Sequence, residues 1–154
     1  MDLKFMEEAY RQAQKAYKKN EVPIGAVIVC DGKVIARGYN TRNKSQNAIN
    51  HSEILVISKA CKKLKSWRLD TCDIYVTLEP CPMCAGAILN ARIKNLYFGA
   101  YDKTSSSDLF NQIMNDKRLN HNCNVVGGIM KKECSNLITE FFSYKRNGSK
   151  PNAI

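Results

Sequence analysis

DIYVTLEPCPMCAGAIL, residues 73–89, holds the change from strand to helix around which the rest of the chain is arranged. Its first seven residues are mostly apolar or β-branched and predict a buried strand. Pro80 ends that strand, and Pro82 suits the first turn of a helix, where a backbone N–H has no intrahelical partner. The Ala- and Leu-rich residues that follow favour the helix. The stretch therefore predicts a strand that passes directly into a helix, with Cys81 and Cys84 at the junction.

Helix and strand patterns alternate on both sides of this junction. Asp31-Gly32 lies between two β-branched runs, which is a strong signal for a β-hairpin. About twenty residues between the last two strands leave room for a helical crossover, so those strands are predicted to be parallel. The sequence therefore predicts an α/β fold with three layers, α-β-α, in which a five-stranded mixed sheet carries helices on both faces. The predicted helices are 2–19, 51–64, 83–91, one within 101–121 and 133–145, and the predicted strands are 24–30, 33–40, 73–79, 95–100 and 124–129.

The length and composition suit a single domain. The chain has 154 residues, of which 44% are hydrophobic, which is enough for one core. We expect the domain to span residues 1–146 and residues 147–154 to form a frayed basic tail. No stretch approaches the roughly 18–20 apolar residues of a membrane span, and the first residues mix acids and bases, unlike a signal peptide. We therefore expect a cytoplasmic protein that does not enter a membrane.

The charge is strongly basic, with 24 Lys and Arg against 14 Asp and Glu and a net charge of +10. The basic residues cluster at 15–19, 59–68, 131–132 and 145–150. One basic run is usually a solvated face, but four runs with this excess favour a polyanionic partner. A membrane surface is less favoured, because no basic helix pattern has a broad apolar face.

Cys81 and Cys84 form a CxxC pair among seven cysteines. In a chain without a secretion signal, such a pair is typical of a redox couple, half of a structural zinc site or part of a catalytic metal site. His51 opens a predicted helix, and if the two helix starts meet, one imidazole joins two thiolates, a donor set that suits zinc. A closed structural site would need a fourth ligand, for which His121 is the candidate. Three ligands alone leave a position open for water, as in catalytic sites, and Glu53 is placed to exchange protons with that water.

These motifs, His51-Ser52-Glu53 and Pro80-Cys81-Pro82-Met83-Cys84, resemble the HxE…PCxxC signature of the zinc nucleobase deaminases. Across residues 5–146, the segments EVPIGAVIV, IARGYN, WRL, YVTLEPCPMCAGAIL, RIKNLYFGA, LNH and FFSYKR are similar to those of the bacterial tRNA-specific adenosine deaminases. Ser52 stands where this family usually has Ala, and Pro82 replaces a common aliphatic residue. The segment that follows Asp102 is shorter and poorer in glycine than the family's.

The resemblance implies a fold, a reaction and partners. The fold would be that of the cytidine deaminase superfamily, with one Zn²⁺ per subunit, and the protein would be a homodimer. The substrate would be the anticodon stem-loop of a tRNA, whose wobble adenosine is hydrolysed to inosine. Water activated by the zinc would attack C6 of the adenine, Glu53 would shuttle the protons, and ammonia would leave.

The resemblance also implies roles for residues around the substrate. Asn40 would hydrogen-bond the target base, Ile24 would form a wall of its pocket, and Gly25 would leave room beside it. Asp102 would contact the ribose, and Glu79 would orient the PCxxC turn. The residues expected to hold the flanking anticodon nucleotides are Arg42, Lys103, Asn120, Phe142 and Arg146, with Arg68 as a weaker candidate.

Two other functions stay open at this point. A zinc deaminase of free bases or nucleotides, such as cytosine or guanine, would use the same zinc and the same Glu53, although the net charge of +10 speaks against it. A non-catalytic RNA-binding module with a structural zinc would share the basic surface, but it would have no use for Glu53.

Overall fold

The computed structural model describes residues 1–103 and 106–148, without the side chains of Ser106 and Ser107. Every predicted helix and strand is present, and most begin and end within two residues of the predicted bounds. In chain order the elements are α1 (Leu3–Lys18), β1 (Gly25–Cys30), β2 (Lys33–Tyr39), α2 (Arg42–Ser45), α3 (Ser52–Leu64), β3 (Cys72–Leu78), α4 (Pro82–Asn90), β4 (Asn95–Ala100), α5 (Ser106–Met114), β5 (Asn124–Val126) and α6 (Lys131–Arg146).

The predicted hairpin is confirmed. Strands β1 and β2 are antiparallel, and Cys30 pairs with Lys33 across the turn. Asp31 and Gly32 both have positive φ angles, 51° and 74°. Two successive residues in this region form the turn whose twist matches that of the flanking strands, which is why Asp-Gly is favoured there.

The five strands form one mixed sheet in the order β2-β1-β3-β4-β5. Strand β1 is antiparallel to β2 and to β3, whereas β3, β4 and β5 are parallel to one another, as predicted for the last two. The carboxyl ends of these three parallel strands therefore lie along one edge of the sheet. In open α/β sheets, binding sites form at that edge.

Helices cover both faces of the sheet and confirm the predicted layers. Along β1, Val27 and Val29 pack with Phe5 of α1 on one face, where α6 also lies. Ala26 and Ile28 point to the other face, where α3, α4 and α5 pack. Alternate side chains of a strand point to opposite faces, so a strand buried on both faces is apolar throughout.

Three features differ from the prediction or lie outside it. The predicted polar loop 41–50 contains the short helix α2, and β5 ends at Val126 instead of residue 129. Gly127 is the first residue after β5. A Cβ atom at this position would lie 2.2 Å from the ring of Phe98, so only glycine fits. Residues 149–154 of the predicted tail lie outside the described residues. None of the described helices combines the length and the apolar character needed to cross a bilayer.

Candidate active site

Three side chains with metal-binding atoms meet between the N-termini of α3 and α4. His51 Nδ1 lies 3.6 Å from Cys81 Sγ and 3.6 Å from Cys84 Sγ. The ligand atoms of all three residues lie within 4.8 Å of one another. Across residues 1–103 and 106–148, no other group of three or more His, Cys, Asp or Glu side chains is placed to bind a metal.

Local backbone structure explains why these side chains converge. His51 is the N-cap of α3 and Cys81 is the N-cap of α4, both with extended backbone, and Cys84 lies in the first turn of α4. Neither cap residue uses its side chain to cap its helix. Pro82 starts α4 without needing a hydrogen-bond acceptor. The partial positive charges of the two helix N-termini also favour thiolates.

The geometry of the group fits tetrahedral zinc. Bonds of about 2.3 Å to sulfur and 2.0–2.1 Å to nitrogen, at tetrahedral angles, place those two atoms about 3.6 Å apart. Both distances from His51 Nδ1 to the cysteine sulfurs have this value. His121, the candidate for a fourth ligand, lies elsewhere, with Nε2 donating to the Ile93 carbonyl at 2.6 Å. The donor set is therefore three soft or borderline ligands with one position left open.

Cys81 and Cys84 shift each other's pKa in opposite directions. The hydrogen bond that Cys84 donates lowers the pKa of Cys81 to about 4. The same hydrogen bond is the largest cause of the raised pKa of Cys84, and burial is the second. The hydrogen bond to Cys81 raises the pKa of His51. Metal binding requires neutral imidazole and thiolates, so this group must release protons to bind zinc, and its zinc affinity should rise with pH.

Glu53 lies beside this group, in the first turn of α3. Its side chain is only 4% exposed, and burial raises its pKa. Ser52, also buried, donates a hydrogen bond from Oγ to Glu53 Oε1 at 2.8 Å and partly offsets that rise. The hydroxyl fixes one carboxylate oxygen, and the elevated pKa suits a group that takes up and releases a proton.

A cavity of about 310 Å³ opens onto these residues, and Ile24, Asn40, Arg42, His51 and Glu53 line it. Asn40 is 7% exposed. Its Oδ1 accepts from the Arg42 amide at 3.1 Å, and its Nδ2 donates to the Val22 carbonyl at 3.4 Å. The side chain is therefore held in one orientation at the cavity wall.

Glu21 is a site residue that the sequence reasoning missed. It is 2% exposed and lines the same cavity. Its two carboxylate oxygens accept from the amides of Asn43 and Lys44, at 3.1 and 2.7 Å, at the start of α2. Glu21 thus anchors the segment that closes one side of the cavity. The available signal was an acid placed between a helix and a strand, next to Val22 and Pro23.

Comparison with known proteins gives this arrangement a family. A family model described as MafB19-like deaminase matches residues 1–144. The tRNA-specific adenosine deaminase of Bacillus subtilis (strain 168) is 45% identical over 150 residues, which are 97% of this chain and 93% of that protein. This chain belongs to the tRNA-specific adenosine deaminase family.

Two further comparisons agree with membership of the tRNA-specific adenosine deaminase family. The chloroplastic tRNA(adenine(34)) deaminase of Arabidopsis thaliana is 51% identical over 108 residues, covering 70% of this chain and 8% of that protein. A solved structure from a study of A-to-I editing by tRNA:A34 deaminases at the wobble position of transfer RNA is 42% identical, with a TM-score of 0.83. It covers 88% of this chain and 99% of its own.

In this member of the tRNA-specific adenosine deaminase family, the residues expected to hold substrate lie in different places. Ile24, Asn40 and Arg42 line the cavity of Glu53. A second cavity of about 270 Å³, at the carboxyl ends of β3 and β4, brings together Asp102, Lys103 and Phe142. Phe142 is 43% exposed, and the exposed Arg146 follows one turn later on α6.

Three other residues named from the sequence are not among those that line the cavity of Glu53. Asn120 lines a separate cavity of about 220 Å³ with Arg92, beside the C-terminal half of α4. The space beside Gly25 is filled by α1, because a Cβ atom there would lie 2.2 Å from the Ala9 carbonyl. Glu79 is 3% exposed and lines another cavity, and its Oε1 has no hydrogen-bond partner in the described structure.

Proposed function

We propose that this protein is a zinc-dependent deaminase that converts adenosine to inosine at the wobble position, position 34, of a tRNA anticodon loop. The observation that carries the proposal is the buried Glu53 carboxylate beside a three-ligand group with an open position, at the end of a cavity. A related protein bears the name tRNA-specific adenosine deaminase, and a similar structure comes from work on A34 deaminases. These similarities support the substrate class.

His51, Cys81 and Cys84 would hold the zinc. The chemistry that zinc supplies in such a site is a water whose pKa is lowered to near neutrality, which makes it a nucleophile. Glu53 accepts a proton from the water that attacks C6 of adenine and donates a proton to N1. It then takes the remaining proton from the hydroxyl now bound to C6 and transfers it to the amino group at C6, so that the C6 carbonyl forms as the C–N bond breaks and ammonia leaves. One water is consumed, and inosine and one ammonia are formed.

The other residues of the cavity position the base. Asn40 presents a fixed amide that can hydrogen-bond the adenine, and Ile24 packs against the ring. Arg42 lies at the mouth, where a phosphate of the same nucleotide would pass. The base must leave its stack to enter, which costs least in a single-stranded loop.

The second cavity would receive neighbouring nucleotides of the loop. Asp102 would contact a ribose, Lys103 and Arg146 would contact phosphates, and the exposed ring of Phe142 would stack on a base. We further propose that the protein is a cytoplasmic homodimer, in which Asn120 reaches RNA bound across the subunit interface. The domain would end at residue 146, and residues 147–154 would form a basic tail.

The experiment is deamination by the zinc-loaded protein, followed by mass spectrometry of the nucleosides. The substrates are an anticodon stem-loop with A34, a matched stem-loop with G34, and free adenosine, cytosine and guanine. We expect inosine from the first RNA only. Faster deamination of a free base than of the A34 stem-loop would contradict the proposal and indicate a deaminase of free bases or nucleotides. If no substrate releases ammonia, the proposed activity is contradicted, and a non-catalytic RNA-binding module becomes the favoured function.

A further inference from the structure

An exposed tryptophan lies close to two arginines, far from the cavity of Glu53. Trp67 is 60% exposed. The guanidinium carbons of Arg68 and Arg92 lie 5.4 and 5.8 Å from the centroid of its rings. We name these three residues the Trp67 patch. None of them takes part in the chemistry proposed above.

The backbone holds the patch in place. Ser66 Oγ accepts from the Arg68 amide and donates to the Arg68 carbonyl, both at 3.1 Å. The amide of the buried Leu69 donates to the Ala91 carbonyl at 2.7 Å, which ties this turn to the end of α4. The Arg92 guanidinium is fixed in turn by a hydrogen bond to the Leu89 carbonyl at 2.9 Å. The tryptophan is thus presented on a preformed surface and does not have to be ordered by a ligand.

The chain around the patch contains almost no negative charge. No acid occurs between Glu53 and Asp70 or between Glu79 and Asp102, the two segments that carry the patch. Asp70 pairs with Arg68 at 3.3 Å, whereas Arg92 has no ion pair within the described structure. The last turn of α3 and its C-cap add Lys62, Lys63 and Lys65, all exposed. A polyanion fits this charge, and an exposed aromatic ring among cations is the combination that single-stranded nucleic acid binds.

The patch is too far from Glu53 to touch the same nucleotide. The 13 residues of α3 separate the metal-binding end of the helix from the turn of Trp67, a distance of about 20 Å at 1.5 Å per residue. The cavity lined by Arg92, Asn120 and His121 adjoins the patch and offers further hydrogen-bonding groups. A ligand that contacts both the cavity of Glu53 and the Trp67 patch must therefore be an extended molecule.

We propose that the Trp67 patch is a second RNA-binding site, at which an unpaired nucleotide of the tRNA stacks on Trp67 while Arg68 and Arg92 bind its phosphates. The proposal rests on the proposed function, because it assumes that the bound polyanion is the RNA substrate. It adds a contact outside the loop that enters the cavity, so its effect depends on how much of the tRNA is present.

Trp67 is the single tryptophan of the chain, so its fluorescence reports this site alone. Full-length tRNA titrated into zinc-loaded Glu53→Ala protein, which binds without turnover, should quench the fluorescence. With active protein, Trp67→Ala should raise KM for full-length tRNA about 5- to 150-fold at unchanged kcat, the range for losing one stacked base. Trp67→Phe should retain most of the affinity. Arg92→Gln should lower the salt slope of binding by about one.

Lys33→Gln is the matched control, because Lys33 is an exposed base at the start of β2 and its loss should leave KM and the salt slope unchanged. Unchanged fluorescence together with an unchanged KM in Trp67→Ala would overturn the proposal. Loss of a dimer in Trp67→Ala, measured by sedimentation, would also overturn it and assign the patch to a second copy of the chain. Deamination of the short A34 stem-loop by the wild type tests the proposed function separately, since that result does not depend on the patch.

Discussion

Glu53 combines burial with a nearby metal-binding group, and its role is open to a direct test. Glu53→Ala should keep zinc, because no ligand is lost, and should lower kcat by at least about 10²–10⁴-fold, the usual contribution of a general acid/base. The measurement pairs inosine formation with zinc content by elemental analysis. Glu7→Ala, which removes an exposed acid of α1, is the control for the loss of charge. Near-normal turnover by a zinc-loaded Glu53→Ala protein would assign the proton transfers elsewhere.

Asn40 has two functions at the residue scale, and they can be separated. Asn40→Ala removes both the group that faces the base and the acceptor for the Arg42 amide. Leaving a buried polar group unpaired costs about 1–3 kcal/mol, so kcat/KM should fall roughly 5- to 150-fold. Asn40→Asp keeps the acceptor for Arg42 and loses the donor. If Asn40→Asp restores the thermal midpoint but not kcat/KM, the amide donor acts on the substrate; recovery of both would make Asn40 a structural residue.

At the scale of elements, a metal held by His51, Cys81 and Cys84 would join the starts of α3 and α4 across a segment of about thirty residues. Closing a loop of that length stabilises a fold by about 3–4 kcal/mol in the chain-entropy description. Removing zinc with a chelator should therefore lower the melting temperature by about 10 °C, and added zinc should restore it. His51→Ala is the control, since its melting temperature should not respond to zinc. An identical midpoint with and without zinc would show that the helix ends are held by packing alone.

The contact between α1 and β1 makes a second prediction at this scale. Gly25→Ala would place Cβ 2.2 Å from the Ala9 carbonyl oxygen and 2.4 Å from the Ala13 amide, both backbone atoms that cannot turn aside. We expect a loss of about 1–3 kcal/mol in the free energy of unfolding, the usual cost of overpacking. Gly86→Ala is the matched control, because nothing lies within 4 Å of its Cβ and alanine favours the helix. Equal stability of the two variants would contradict the assigned packing.

The elements were predictable from the sequence where local signals agree. Asp31-Gly32 fixes the hairpin through its own turn geometry, and Pro80 and Pro82 mark the strand–helix junction in the same way. The position of Gly25 could not be predicted, because the atoms that exclude a side chain belong to a helix distant in sequence. Glu21 was missed for the same reason: its partners are amides of α2, a four-residue helix with no periodic pattern.

At the scale of the whole molecule, the net charge of +10 predicts how RNA binding responds to salt. Each phosphate neutralised by Lys or Arg releases counterions, so log Kd should rise linearly with log salt, with a slope close to the number of contacts. The slope should be at least about 2–3 if Arg42, Lys103 and Arg146 all contact phosphates. The measurement is the dissociation constant of the A34 stem-loop between about 50 and 200 mM salt. A flat response would exclude these basic residues as the RNA footprint.

The order of the metal ligands along the chain has a consequence for synthesis. A ribosome releases His51 first, then β3, and then Cys81 and Cys84, so the complete ligand group exists once residue 84 of 154 has emerged. By then β1, β2 and β3 are also available to pair, while β4, β5, α5 and α6 are still to come. We expect the nascent chain to bind its metal ion at this stage. Strands β1, β2 and β3 would then be cross-linked through the ligands before β4 and β5 emerge. Hydrogen exchange on a ribosome-arrested chain of which residues 1–90 have emerged, compared with and without zinc, would reveal protection in α3 if this order holds.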